Sequence, residues 1–371
     1  MRAPSLTIGI EEEYQIIDPK TGELKSFITR ILEDHDPRYT GQIKAELHQS
    51  VVEVGTAVCR TPAEARQELV RLRRTVLDVL GKHGLTIAAA GTHPFSAWET
   101  QEITPFERYL GVRQDMADLA QQLLIFGTHV HIGIEDKDFL IDCLNVARYF
   151  LPHILCLATS SPFWTGRNTG LKSYRSILFR HFPRSGIPPR FGSWDEYSDM
   201  VDTMVSTRCI PDATQIWYDL RPNSRFPTLE FRICDVCTRV DETVCIAALF
   251  QALIMKLWKL RQDNMTFRVY PTELIEENKW RAVRYGLDGK LIDLGKVKEV
   301  PAREVIHELI DWFLRDAIDE LGSRREVEYA YKIMDGGTSA DRQLKTFAKT
   351  DGCIRAVTDQ LVAETREGIF F

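Results

Sequence analysis

The chain has 371 residues, of which 44% are hydrophobic and 27% charged, and its formal net charge is −6. This composition excludes disorder, a collagen-like repeat and a small disulfide scaffold, and a chain without a basic surplus is a poor match for nucleic acid, whose phosphates are held by Lys and Arg. The longest uninterrupted apolar runs, such as 154–157 and 246–249, fall well short of the roughly 18 to 20 residues that span a bilayer, and the first ten residues hold no secretory core, so a cytoplasmic location is expected.

Residues 6–17 read as a strand, followed by a second strand-like stretch at 43–57. Three helix starts are then marked by a hydroxyl with Glu three residues later: Thr61 with Glu64, Thr104 with Glu107 and Ser193 with Glu196, two of them with Pro next to the cap. The first helix is predicted to reach about His83, with Leu69, Leu72, Val76, Val79 and Leu80 on one face, and the second about Phe126. Further strands are predicted at 85–90, 128–135, 216–220 and 228–234. Residues 160–190 hold six basic side chains, four Pro and no acid, which reads as a binding loop or lid. From about 240 to Phe371 the pattern is helical, with segments at 241–260, 271–285 and 303–321, and the face at 247–257 could pack in a homodimer. Cys234 and Cys237 form one C-x-x-C, but without a second pair or flanking His a zinc site is incomplete.

Side chains alternate across a strand, so residues two apart share a face. In the first strand Ile8, Ile10, Tyr14 and Ile16 form an apolar face interrupted by Glu12, and Glu11 and Glu13 share the other, about 6.6 Å apart along the chain. The device recurs with His129 and His131, and with Glu230 and Arg232. A polar face of this kind lines either solvent or a hollow, and three strands offering Glu/Glu, His/His and Glu/Arg favour a hollow. Two carboxylates this close repel unless a cation lies between them, and carboxylates with an imidazole suit Mg²⁺ or Mn²⁺. Glu46 and Glu53 add two more acids, but their odd separation sends them to opposite faces of a straight strand, so a turn or bulge intervenes or only one reaches the site. Arg221, Arg225 and Arg232, with Asn168, Lys172 and Arg175 of the basic segment, are candidate anion binders. No phosphate loop of the G-x-x-x-x-G-K-[ST] type, dinucleotide fingerprint, nucleophile elbow or H-E-x-x-H motif is present.

The ordered set Gly9-Ile10-Glu11-Glu12-Glu13-Tyr14, Gln49-Ser50-Val51-Val52-Glu53, Gly91-Thr92-His93-Pro94, Glu107-Arg108-Tyr109, Gly127-Thr128-His129-Val130-His131-Ile132-Gly133, Ser161-Pro162, Asp219-Leu220-Arg221-Pro222 and Thr228-Leu229-Glu230-Phe231-Arg232 resembles the YbdK-type carboxylate-amine ligases, also called glutamate-cysteine ligase type 2. The likeness covers about residues 6–260, with weaker similarity beyond. It implies an α+β, glutamine synthetase-like fold: one catalytic domain over 1–371, a curved antiparallel sheet forming a funnel under helices, and a mainly helical last third at about 240–371. It further implies ATP with Mg²⁺ or Mn²⁺, and L-glutamate and L-cysteine as the default carboxylate and amine. By this analogy Glu11, Glu13, Glu53, His131 and Glu230 hold the metals. Glu53, Arg232 and Arg221 act in catalysis, and Arg175, Asn168, Lys172, Arg225 and His129 contact substrate or nucleotide. Within the same fold the alternatives are phosphoryl transfer to a guanidino group, amidation with ammonia, or a nucleotide-binding paralogue without catalysis.

Overall fold

The computed structural model describes residues 3–34 and 41–370, apart from the side chain of residue 34; Met1 and Arg2, part of the ten-residue stretch read for a secretory core, and Phe371, the end of the expected helical stretch, lie outside the described residues. Its main sheet has seven strands among them: β1 (Ile8–Ile17), β2 (Ile43–Ala45), β3 (Val51–Gly55), β4 (Thr86–Ala88), β5 (Thr128–Gly133), β6 (Leu220–Pro222) and β7 (Thr228–Phe231). The order is β6-β7-β5-β1-β3-β2, with β4 paired to the far end of β1, and every pairing is antiparallel. The α+β reading of the sequence holds.

The even-numbered face of β1 is the core face. Ile8, Ile10, Tyr14 and Ile16 are buried there beneath α1 (Pro62–Gly81) and α4 (Val240–Gln262). Glu12 interrupts this face without breaking it, because Arg73 of α1, equally buried, donates Nη2 to its Oε1 at 2.6 Å and Nε to its Oε2 at 3.0 Å. Thr243 of α4 adds a third donor at 2.5 Å. One connected set of buried side chains extends from Ile8 to Ile369, so the C-terminal helices share the core of the sheet.

Helix α4 is long and apolar enough to cross a membrane by length and composition, but 83% of its apolar stretch is buried inside the fold. Ala247, Leu249, Phe250, Leu253 and Leu257 are likewise buried, so the face at 247–257 packs within the chain and does not offer a dimer surface.

Two of the three hydroxyl caps form: Thr61 accepts from Glu64 N, and Ser193 from Glu196 N at the start of a helix at Trp194–Ser206. The third does not. Thr104 Oγ1 donates to the Glu46 carbonyl at 2.6 Å, and the helix that follows, α2 (Glu107–Met116), starts after Phe106 without a side-chain cap. The helical stretch expected to reach Phe126 ends at Met116, where Ala117 has φ of 50°, and one short helix at Asp118–Gln122 follows. The basic segment is also more ordered than its composition suggests, with a short hairpin at Phe163–Trp164 and Arg167–Asn168 and a helix, α3 (Tyr174–Arg180).

Candidate active site

The odd-numbered face of β1 looks into a cavity of about 820 Å³ to which six strands of the sheet contribute side chains. The register lays these out in two rows. Lys44, Glu53 and Glu13 stand opposite one another across β2, β3 and β1; His131, Glu230 and Arg221 do the same across β5, β7 and β6. Glu11 lies between the rows, opposite His129. Antiparallel pairing brings directly opposed side chains to about 5 Å, so strands whose acids are far apart in sequence place them in contact.

Two groups of potential ligands result among the described residues: Glu11, His131 and Glu230, and Glu13, Glu46 and Glu53, the donor atoms of each group lying within 4.8 Å of one another. Glu46 resolves the parity problem of the sequence. The expected strand at 43–57 is broken between β2 and β3, and Glu46 sits in the connecting turn, where its backbone carbonyl is held by Thr104 and Leu47 N donates to its carboxylate at 3.2 Å. Tyr109 Oη donates to the neighbouring Ala45 carbonyl at 2.6 Å, so the stretch around α2 clamps this turn. Glu46 was therefore missing from the metal set expected from the sequence; the odd spacing hinted at a turn but could not say which way its side chain points.

The electrostatics of the two groups differ. Burial and then the charges of neighbouring acids raise Glu13 and Glu46 to about 7 and push Glu53 well above the usual carboxylate range. Glu11 lies well below it despite burial, because the imidazoles of His129 and His131 and the Lys44 ammonium face it. Glu230 is also held low against burial, by the Arg221 and Arg232 guanidiniums. Burial and Arg232 keep His129 neutral, at about 3, whereas the carboxylates of Glu11 and Glu230 outweigh burial and raise His131.

These donors fit a hard divalent cation. Three carboxylates crowd together and resist ionising, and the buried Nε2 of His131 stops 3.6 Å from Glu11 without a hydrogen-bond partner. Oxygen donors with one imidazole match Mg²⁺ or Mn²⁺, and His131 would ligate as the neutral imidazole.

The candidate anion binders fall into four sets. Arg175, 3% exposed, and Arg232 both reach the cavity, and each guanidinium has a buried Nε with no hydrogen-bond partner. Arg225 lies at the mouth, on a turn in which Asn223 Oδ1 accepts from the Arg225 and Phe226 amides. Arg221 lines the cavity, but its fork is taken up by Glu230, at 3.0 and 3.1 Å, and by two backbone carbonyls, so it orients Glu230. Asn168 and Lys172 are not among the residues lining the cavity. Asn168 accepts from Gly170 N in an exposed turn, and Lys172 pairs with Asp341 of the C-terminal helix Ser339–Lys349. The hairpin and helix of the basic segment turn these two residues outward while delivering Arg175 inward.

Arg175 is placed by groups that the sequence did not single out. Buried Asp235 accepts from Ser160 N at 2.8 Å and from the hydroxyls of Ser161 and Ser173 at 2.7 Å each, and Ser161 Oγ in turn accepts the Arg175 amide at 3.0 Å. The only sequence trace of this hub is an acid inside an otherwise apolar C-x-x-C, whose two cysteines are themselves buried.

An antiparallel sheet backed by helices, with acids, imidazoles and buried guanidiniums converging on one hollow, suits the ATP-dependent, carboxylate-activating class of ligase. Comparison with known proteins agrees with that class. The chain belongs to glutamate-cysteine ligase family 2, whose family model matches residues 7–360. A protein of Roseiflexus castenholzii named "Putative glutamate–cysteine ligase 2" is 59% identical over 98% of this chain and 95% of its own length, and one of the same name from Solibacter usitatus is 50% identical over 99% and 95%. Among solved structures, the glutamate–cysteine ligase of Francisella tularensis, in complex with AMP, superposes with a TM-score of 0.67 at 13% identity, covering all of this chain and 91% of that one. The bifunctional glutathione synthetase of Pasteurella multocida gives 0.67 at 15% identity, over 98% of this chain and 53% of its own.

Proposed function

We propose that this enzyme joins the side-chain carboxylate of L-glutamate to the amine of L-cysteine with ATP and Mg²⁺ or Mn²⁺, through an acyl phosphate. A carboxylate is a poor electrophile; its attack on the γ-phosphate of ATP, with ADP leaving, gives an acyl phosphate whose carbonyl carbon the amine attacks, displacing phosphate. Two anions must meet in the first step, so the site must supply positive charge. Bound divalent ions would supply most of it by neutralising the phosphates; Glu11, His131 and Glu230 would hold one, and Glu13, Glu46 and Glu53 another.

The chain's own part in the reaction is positional and electrostatic. Arg175 and Arg232 offer their free Nε–H groups to phosphate or carboxylate oxygens, Arg221 keeps Glu230 ionised and oriented, and neutral His129 packs between Glu11 and Arg232. Arg225 at the mouth is suited to the outer phosphates. The single observation that carries the reading is the pairing of two acidic ligand groups with two buried, unsatisfied guanidinium nitrogens in one cavity.

The test is ADP release with product mass, measured over a panel of carboxylates and amines with Mg²⁺ or Mn²⁺. Release that needs both glutamate and cysteine and yields γ-glutamylcysteine is the expected result. Release with ammonia alone as acceptor, or transfer of phosphate to a guanidino compound, would replace it. We further assign the enzyme to the cytoplasm as a single catalytic domain; a homodimer would need a surface other than 247–257, and light scattering of the purified chain tests for one.

A further inference from the structure

Among the described residues Lys44 is the one basic side chain that ion-pairs with a carboxylate of each acidic group, and it stands on β2, the last strand on its side of the main sheet. Its ammonium contacts Glu53 Oε1 at 2.9 Å and Glu11 Oε1 at 3.3 Å, one carboxylate from each potential metal site. It reaches Glu11 by passing over Gly55, where even an added Cβ would lie 3.7 Å from Nζ. The side chain is 43% exposed, and β2 pairs only with β3, so Lys44 can swing away without moving the strand. Arg221 and Arg232 differ from it: they are pinned on Glu230, and both are nearly buried.

We propose that Lys44 is a resident counter-cation of the metal-free site, balancing Glu11 and Glu53 until divalent ions displace it, and that it thereby weakens metal binding. The inference rests on the metal reading above. The ammonium takes one oxygen of each carboxylate, while Glu11 keeps its Oε2 towards His131, so Lys44 opposes a cation at either group by its charge and by occupying one of the two oxygens. The same ammonium keeps the site from repelling itself apart when empty. Lys44 is thus a positioning residue that sets how much free Mg²⁺ or Mn²⁺ the enzyme needs.

The test is Mn²⁺ binding to the full chain, followed by electron paramagnetic resonance and calorimetry without nucleotide. It is run at one pH and ionic strength for every variant, because metal affinity depends on both. Lys44→Met keeps the aliphatic stem and removes the charge. It is expected to bind Mn²⁺ about tenfold more tightly than the wild type, the scale of one or two half-exposed ion pairs, and its metal-free form should melt lower. Lys44→Arg, which keeps the charge, should bind as the wild type does. Equal or weaker binding by Lys44→Met overturns the inference, as does tighter binding by both variants, which would assign the effect to shape. A wild type that binds no Mn²⁺ overturns the metal reading itself, so the two failures are distinct.

Discussion

Gly127 immediately precedes β5, at the point where the backbone touches both the acidic group and Arg175. Its amide donates to Glu13 Oε2 at 2.6 Å, and a Cβ built on it would lie 2.4 Å from Arg175 Nη2 and 3.0 Å from Arg175 Cζ. Ordinary contact is about 3.5 Å or more, so Gly127→Ala must move the guanidinium by roughly 1 Å. The guanidinium is not free to give way, being buried and held by the Arg232 and Ile233 carbonyls at 3.2 and 3.4 Å. Overpacking of this kind costs about 1 to 3 kcal/mol of stability. A charge misplaced by about 1 Å costs on the order of 10² in rate, so activity is the more sensitive readout. Kcat/KM from ATP-dependent ADP release should therefore fall about a hundredfold while circular dichroism shows a folded chain. Gly81→Ala is the control: it lies at the end of α1 with open space around its Cβ, and should be neutral or slightly stabilising. A Gly127→Ala enzyme within about threefold of the wild type would refute the placement of Arg175 as an active guanidinium.

Replacing Glu11 or Glu13 with Gln should lower ADP formation by about 10² to 10³, the scale of losing one charge-stabilising group, without lowering the melting temperature; ADP release at the wild-type rate would remove these residues from the site. Arg73→Met strips the partner from fully buried Glu12 and should cost about 3 to 5 kcal/mol in urea unfolding, and adding Glu12→Gln should recover much of the loss. Glu13 and Glu46 ionise near pH 7 because burial and nearby acids disfavour their charge, so the metal-free fold holds protons that the unfolded chain releases above about 4.5. Their own contribution to stability is thus lost as pH rises from about 4.5 through 7, against the opposite contribution of His48, His93, His129 and His153, which burial holds neutral with values of about 3 or 4. The rise in melting temperature on adding Mg²⁺ should be larger at about pH 8 than at about pH 5.5; an equal rise at both would mean that no cation binds these acids.

Much of the site was legible because β periodicity is local. The alternation at 8–16 and 128–134 separates core from cavity residues whatever the strands pair with, and the two-residue spacing of Glu11 with Glu13, and of His129 with His131, identifies their shared faces. The hydroxyl caps at Thr61 and Ser193 were readable for the same reason, since an N-cap needs only its own first turn. Thr104 has the same motif and failed as a cap, because a carbonyl 58 residues away competes for its hydroxyl. Lys172 and Arg175 illustrate the limit in the basic segment. They share composition and are three residues apart, yet one pairs outward with Asp341 and the other turns inward, steered by Asp235 and its serines.

From the sequence alone came the polar and apolar faces of each strand, the helical last third, and the residue types that would meet a cation and an anion. Only the tertiary structure decided which acids share a ligand group, that Glu46 joins them, that Glu12 is neutralised by Arg73 in the core and that Lys44 bridges the two groups. The physical reason is range: a side chain's face follows from backbone geometry over two or three residues, whereas its partner is set by strand register and turn direction between segments far apart in the chain.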